Sequence, residues 1–210
     1  MLPWAVKFPK QITLLYAPSG QPVEAQVVEL SAALIRRKMG AHWWAGPAIG
    51  AALAEREIDR YWDWTEQEIE REGKIIASRK LAVLTGDGAV QGAMMISTSP
   101  VPCQLEKGAA SLFVELLFAA PWNRPWIRVD QTEHFRGVGL QLFRTGAQLS
   151  MATGLLGRLK LDASPASVEW YRKRGLLEVK TQRIVYQGVP YTPMELTADR
   201  VRRLLPDAEE

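Results

Sequence analysis

Phe113-Val114-Glu115-Leu116-Leu117-Phe118-Ala119-Ala120 and, after a loop, His134-Phe135-Arg136-Gly137-Val138-Gly139-Leu140 are the stretches on which the reading of this chain turns. The first is an apolar run of strand length that holds one carboxylate, Glu115. An ionised group is costly in such a run unless it is paired or put to use. The second opens a helical pattern that continues to Thr153. A helix start carries backbone N–H groups with no intrahelical acceptor and a partial positive charge, and glycines let an anion approach them. Strand, loop and glycine-marked helix start, in that order, predict an anion site suited to a pyrophosphate, beside a base.

Two rival phosphate motifs fail on spacing. No Gly-Lys pair followed by Ser or Thr stands after a glycine and four residues, as a P-loop requires, and a dinucleotide fingerprint begun at Gly137 meets Leu142 where it needs a third glycine. Gly86-Asp87-Gly88 lies between two apolar runs and reads as a hairpin turn.

The spacing of Gly137 and Gly139 resembles motif A of the GNAT acetyltransferase superfamily: Arg or Gln, two residues, Gly, one residue, then Gly or Ala, after a strand that hydrogen-bonds the pantetheine arm of acetyl-CoA. His134 stands in the first slot, and the segment from Pro121 to Glu133 is an insertion relative to compact family members. Further on, the run from Leu159 through Ser164-Pro165, Tyr171, Arg172-Lys173-Arg174 and Gly175 to Leu176 resembles motif B of the same superfamily. Ser164 stands there for the usual Asn and Leu176 for the usual Phe. Local physics agrees: Ser164 suits an N-cap, Pro165 the first helical position and Gly175 the left-handed residue after the last turn.

The resemblance implies an N-acetyltransferase that uses acetyl-CoA as cosubstrate and a primary amine as acceptor. It implies that Leu117, Phe118 and Ala119 on the strand, and His134, Phe135, Arg136, Gly137, Val138, Gly139 and Leu140 at the helix start, bind the coenzyme. Phe113-Val114-Glu115 matches the Phe-x-Glu strand that supplies the general base in the histone acetyltransferase branch, and Tyr171 matches the tyrosine that protonates the departing thiolate. The bland alternatives are a structural carboxylate at Glu115, core packing at Tyr171 and a surface loop residue at His134. A protein that keeps the fold and the coenzyme site for binding or regulation, without turnover, is the alternative from another class. Retention of both Glu115 and Tyr171 favours the enzyme. The acceptor stays open between a small amine and a protein amine.

With 210 residues, 23.5 kDa and 47% apolar residues, the chain is expected to form one domain, 1–210, with an acceptor-side region over about 1–80 and a coenzyme-binding core over about 81–180. Its 26 Lys and Arg face 23 Asp and Glu, for a net charge of +3, so a dedicated nucleic-acid surface is not expected. No run of about 18 apolar residues exists, and Pro3, Lys7, Pro9 and Lys10 interrupt any export signal, so a cytoplasmic protein without a membrane partner is expected. Cys103 is the single cysteine and reads as a loop thiol; with two histidines beside it in the inventory, no metal site is expected. The oligomeric state stays open.

Patterning predicts strands over Ile12–Ala17, Leu81–Thr85, Ala89–Ser99, Ser111–Ala120, Arg158–Ala163 and, interrupted by Gly188 and Pro190, Ile184–Leu196. Helices are predicted over Pro22–Met39, Glu55–Glu72 and Gly137–Thr153, with a short one in the motif B segment and a last turn or two over Thr197–Leu205. The sum is an α/β fold, GNAT-like, with a mixed, mainly antiparallel sheet and helices on both faces. Trp43, Trp44, Trp62 and Trp64 cluster in the N-terminal region, where Trp62 reads as core. Trp122 and Trp126 flank Asn123-Arg124-Pro125 in the insertion and are expected to wall the acceptor site.

Overall fold

In the computed structural model, which describes residues 6–39, 41–44, 64, 69–71, 74–129, 133–180, 184–186 and 188–205, the chain begins with an antiparallel pair, β1 (Lys10–Tyr16) and β2 (Pro22–Glu29). The second strand corrects the helix expected over Pro22 to Met39. Val23, Ala25 and Val27 recur at every second residue and turn inward, and this alternation, with β-branched side chains on a half-buried surface, prevails over the helical spacing of Val23, Val27 and Leu30. Only the end of the segment is helical. There α1 (Ala32–Lys38) starts at Ser31, whose hydroxyl accepts the Leu34 N–H at 3.2 Å, and it closes on Arg36, Arg37 and Lys38.

A short helix, α2 (Ala41–Trp44), follows. The helix expected over Glu55 to Glu72 lies outside the described residues, Trp62 with it, apart from Trp64 and a strand, β3 (Ile69–Arg71), which pairs with β4 (Lys74–Ile76). The end of that expectation is therefore corrected. Cross-strand pairing with Ile75 and Ile76 outweighs one residue of a helical stripe.

The hairpin of β5 (Ser78–Thr85) and β6 (Val90–Ser97) turns at the expected glycines. Next come β7 (Val101–Pro102), the central strand β8 (Ala110–Ala119), two 3-10 turns at Pro121–Asn123 and Pro125–Ile127, and β9 (Phe135–Arg136). The principal helix is α3 (Val138–Ala152), followed by β10 (Leu159–Ala163) and α4 (Val168–Arg172). Ser164 does not cap α4. Its hydroxyl pairs with that of Ser167 at 3.0 Å, and its carbonyl accepts the N–H groups of Ser167 and Val168, so a tight turn precedes the helix. Gly175 has φ +95°, the left-handed conformation expected of it. The chain ends in β11 (Leu177–Glu178), a hairpin of β12 (Ile184–Tyr186) and β13 (Val189–Leu196) folded at Gly188, a 3-10 turn and α5 (Val201–Leu204).

Among the described residues these strands form an 11-stranded sheet along the path β11-β13-β10-β8-β6-β5-β2-β1-β9, with β12 on β13 and β7 on β8. Every pairing in it is antiparallel except β8 with β10, which α3 connects. One face is covered by α3, whose Leu142, Phe143 and Ala147 pack with Met94, Ile96 and Val114. On the other, Ile35, Met39, Trp43 and Trp64 pack over Ala82, Ala93 and Ala120. No helix of the described residues is long and apolar enough to cross a membrane.

Candidate active site

Two irregularities of β8 create the site. β8 and β10 are paired only at Leu112–Leu159 and Phe113–Lys160. Beyond that point Leu161–Ala163 stay with β13 and Leu116–Ala119 stay with β6, so the two strands part. The second irregularity lies at the point of parting: Ile96 opposes Val114 and Met95 opposes Leu116, which leaves Glu115 as an extra residue, a β-bulge. Val114 and Leu117 both pack on the α3 face, whereas Leu116 and Phe118 pack on the other, so the side-chain alternation of the strand changes phase at Glu115. Glu115 itself is half-buried at this step.

Past the bulge the backbone phase is set by Ala120, whose N–H donates to the Gln91 carbonyl at 2.8 Å. Alternation then turns the peptide edges of Leu117 and Ala119 toward the parted side and that of Phe118 toward β6. Of the three strand residues expected to meet a coenzyme, two present backbone groups there. Arg124 reaches back from the insertion and donates through Nε to the Ala119 carbonyl at 2.7 Å.

The first turn of α3 stands at the same place. A β-carbon on Gly139 would lie 3.5 Å from both Leu117 Cδ2 on β8 and Trp170 Cζ2 on α4, so this turn sits where the strand and the segment after β10 face each other. The first intrahelical bond runs from Gln141 N–H to the Gly137 carbonyl, which leaves the N–H groups of Val138, Gly139 and Leu140 without helical acceptors. Gly137 is the N-cap at φ +93°, and a β-carbon there would meet nothing within 4 Å. Open space over a left-handed glycine and three unspent N–H groups fits an anion such as a pyrophosphate. The missing side chain that faces open space thus belongs to Gly137; that of Gly139 would point between Leu117 and Trp170. Val138 packs down on β6, where a β-carbon on Gly92 would lie 2.5 Å from Val138 Cγ1 and 2.8 Å from the Phe118 carbonyl oxygen. Gly92 lets α3 and β8 come this close.

Tyr171 is buried against Phe143 and Trp170, with ring centroids at 5.7 and 4.9 Å. Burial pushes its hydroxyl far above the ordinary tyrosine value, and the Arg174 charge offsets only part of the shift. The hydroxyl therefore keeps its proton and remains able to donate a hydrogen bond. It gives up its proton poorly to a thiolate, whose own pKa is about 8.5 in the free thiol. Trp170 is clamped from the other side by Arg174, whose guanidinium carbon lies 3.6 Å from the ring centroid while Nη1 donates to the Trp170 carbonyl. Burial raises the Cys103 thiol, the opposite of what a nucleophile needs.

His134 and Arg136 are exposed, and Arg136 pairs with Glu133 at 2.6 Å. Phe135 stacks at 5.8 Å on Tyr16 of β1. On the opposite face the tryptophans divide. Trp43 and Trp64 are fully buried, 6.3 Å apart edge to face, and belong to the core. Trp122 leans on Trp43 and donates its indole N–H to Gln91 Oε1 at 2.7 Å, while Trp126 is exposed. Arg124 is buried with its guanidinium over Trp44 and Phe118. Gly92, Gln91 and Asn123 carry no mark in the sequence that would have joined them to the site; strand pairing places Gly92 and Gln91 beside β8, and the hydrogen bonds of Gln91 hold Asn123 there. Among the described residues no group of His, Cys, Asp and Glu is placed to hold a metal ion.

No family model and no curated protein matches the chain. Among solved structures it is similar to a putative N-acetyltransferase from Lactobacillus plantarum, at 11% identity and a TM-score of 0.50 over 81% of this chain and 96% of that one. A spermidine N-acetyltransferase chimera from Vibrio cholerae and hSSAT gives 14% identity and a TM-score of 0.49 over 86% and 98%. A histone acetyltransferase and related acetyltransferase from Corynebacterium glutamicum gives 13% and 0.40 over 57% of this chain, which spans 64% of that protein's length. At 11% identity the likeness to the Lactobacillus plantarum protein is one of fold: a GNAT-like mixed, mainly antiparallel sheet with helices on both faces.

Proposed function

We propose that the protein transfers an acetyl group from acetyl-CoA to a primary amine by direct attack. The observation that carries the reading is the parting of β8 from β10 at the Glu115 bulge with the first turn of α3 at the opening. The N–H groups of Val138, Gly139 and Leu140 hold the pyrophosphate, with His134, Phe135 and Arg136 leading into the turn. The turned-out peptide edges of Leu117 and Ala119, on either side of Phe118, hold the pantetheine arm and polarise the thioester carbonyl. Residues 1–80 and the insertion supply the acceptor side of a single domain.

An alkyl amine with a pKa of about 10.4 is mostly protonated at neutral pH and must lose a proton to attack. Glu115, directly or through a water, takes that proton. The nitrogen adds to the thioester carbon and gives up a second proton to water, the tetrahedral species collapses, the carbon–sulfur bond breaks, and the product is an N-acetyl amine. Tyr171 donates a hydrogen bond to the departing thiolate, which then takes a proton from solvent. This refines the acid role expected of Tyr171, in keeping with its raised pKa. The reading is tested by thiol release from acetyl-CoA over a panel of small and peptidyl amines, together with melting in acetyl-CoA. An amine-dependent rate and an upward melting shift are expected. A folded sample that shows neither refutes it.

A further inference from the structure

The insertion reaches the helix start through a buried polar chain. Gln91, on β6, is almost fully enclosed. Its Nε2 donates to Thr85 Oγ1 at 2.9 Å, and its Oε1 accepts from Trp122 Nε1 at 2.7 Å and Asn123 Nδ2 at 3.0 Å. Asn123, also buried, donates to the Gln91 carbonyl as well, and its Oδ1 accepts the Phe135 N–H at 2.9 Å. The neighbouring Trp122 carbonyl accepts the His134 N–H at 3.1 Å. The hydrogen-bond chain thus starts at the β5–β6 turn, crosses into the insertion and ends on the backbone immediately before Arg136 and the Gly137 cap. Both oxygens and both nitrogens of the two buried amides are engaged, the condition under which a polar network fixes one arrangement.

The sheet alone holds this point weakly. β9 is a two-residue edge strand, paired with β1 at Leu15–Arg136 and Tyr16–Phe135 and tied once more where the Ala17 N–H donates to the His134 carbonyl at 2.8 Å. We propose that Asn123 is a positioning residue for the anion-binding turn: through its Oδ1 it fixes Phe135, and with it the direction in which the first N–H groups of α3 point. The role of the insertion is then to brace the coenzyme side as well as to border the acceptor side. The proposal rests on the coenzyme reading above.

The test follows hydrogen exchange at the Phe135 amide and the affinity for coenzyme A by calorimetry. In Asn123→Ala the Phe135 amide loses its protection, Kd rises about tenfold, the scale of one lost buried hydrogen bond, and KM for acetyl-CoA rises while kcat at saturation holds. Thr85→Val cuts the same chain at its far end; it lowers the melting temperature yet leaves Phe135 exchange and Kd within about twofold, because the bond to Phe135 survives. Should Asn123→Ala not fold, Asn123→Ser, whose hydroxyl is too short to reach Phe135, takes its place. Coenzyme affinity unchanged in the variant overturns the proposal alone, as does an equal loss in Thr85→Val. A parent protein that does not bind coenzyme A overturns the coenzyme reading, and the proposal with it.

Discussion

Replacing Gly137 by alanine separates backbone conformation from side-chain crowding at the anion-binding turn. The residue sits at φ +93°, and an added β-carbon meets nothing within 4 Å, so the cost is conformational alone. Holding a residue with a β-carbon in left-handed space costs about 1–2 kcal/mol. In a chain of this size that lowers the melting temperature by about 2–8 °C. If the turn instead relaxes to negative φ, the N–H groups of Val138, Gly139 and Leu140 swing away from the opening and the loss moves from stability to binding. The two routes are told apart by melting with and without acetyl-CoA. At a hundred times its Kd, the coenzyme adds about 2.7 kcal/mol to the parent; to a variant that binds tenfold more weakly it adds about 1.4 kcal/mol. Either a lower unliganded melting temperature or a roughly halved coenzyme shift is expected. A variant that matches the parent in both measurements refutes the assignment of Gly137 as a strained cap that shapes the turn.

Three further outcomes follow from the same geometry. Glu115→Gln keeps coenzyme affinity and lowers turnover by about 10²–10⁴-fold, most at pH values below the acceptor pKa, with partial recovery as pH rises; equal pH–rate profiles make Glu115 a structural carboxylate. Tyr171→Phe leaves melting nearly unchanged, since the ring keeps its contacts with Phe143 and Trp170, and slows thiol release in the pre-steady state; an unchanged burst rate removes the hydroxyl from the chemistry. Gly92→Ala drives a methyl group into Val138 and the Phe118 carbonyl, and costs about 1–3 kcal/mol with a parallel loss of coenzyme affinity; a melting curve that overlays the parent's shows that α3 does not depend on this close approach.

Elements whose signal is local were legible in the sequence. The hairpin at Gly86–Gly88, the central strand, the helix after Gly137 and the left-handed turn at Gly175 all lie where pattern and glycine placement put them. β2 reads as helix because Val23 and Val27 satisfy both periods, and the decision falls to Ala25, too small to weigh in a hydropathy pattern, and to partner strands on both sides. The bulge was not legible: Glu115 stands out as a carboxylate in an apolar run, but nothing local says that it is the residue left without a partner on β6. The tryptophans show the same limit from the other direction: nothing local tells buried Trp43 and Trp64 from exposed Trp126. The bond between Gln91 and Asn123 joins residues 32 positions apart and exists only once β6 and the insertion are side by side.

Glu115 holds two separable properties, a carboxylate and a place in the count of residues. Substitution removes the first and leaves the second, so the strand beyond it keeps its faces. Deletion would remove both and still keep the register: with Val114 joined to Leu116, opposite Ile96 and Met95 as they already stand, Leu117 and Ala119 would stay on the α3 face and Leu116 and Phe118 on the tryptophan side, in plain alternation. The faces beyond the bulge are thus set by the pairing with β6, and what the extra residue adds is a local bend and one more side chain at the point where β8 leaves β10.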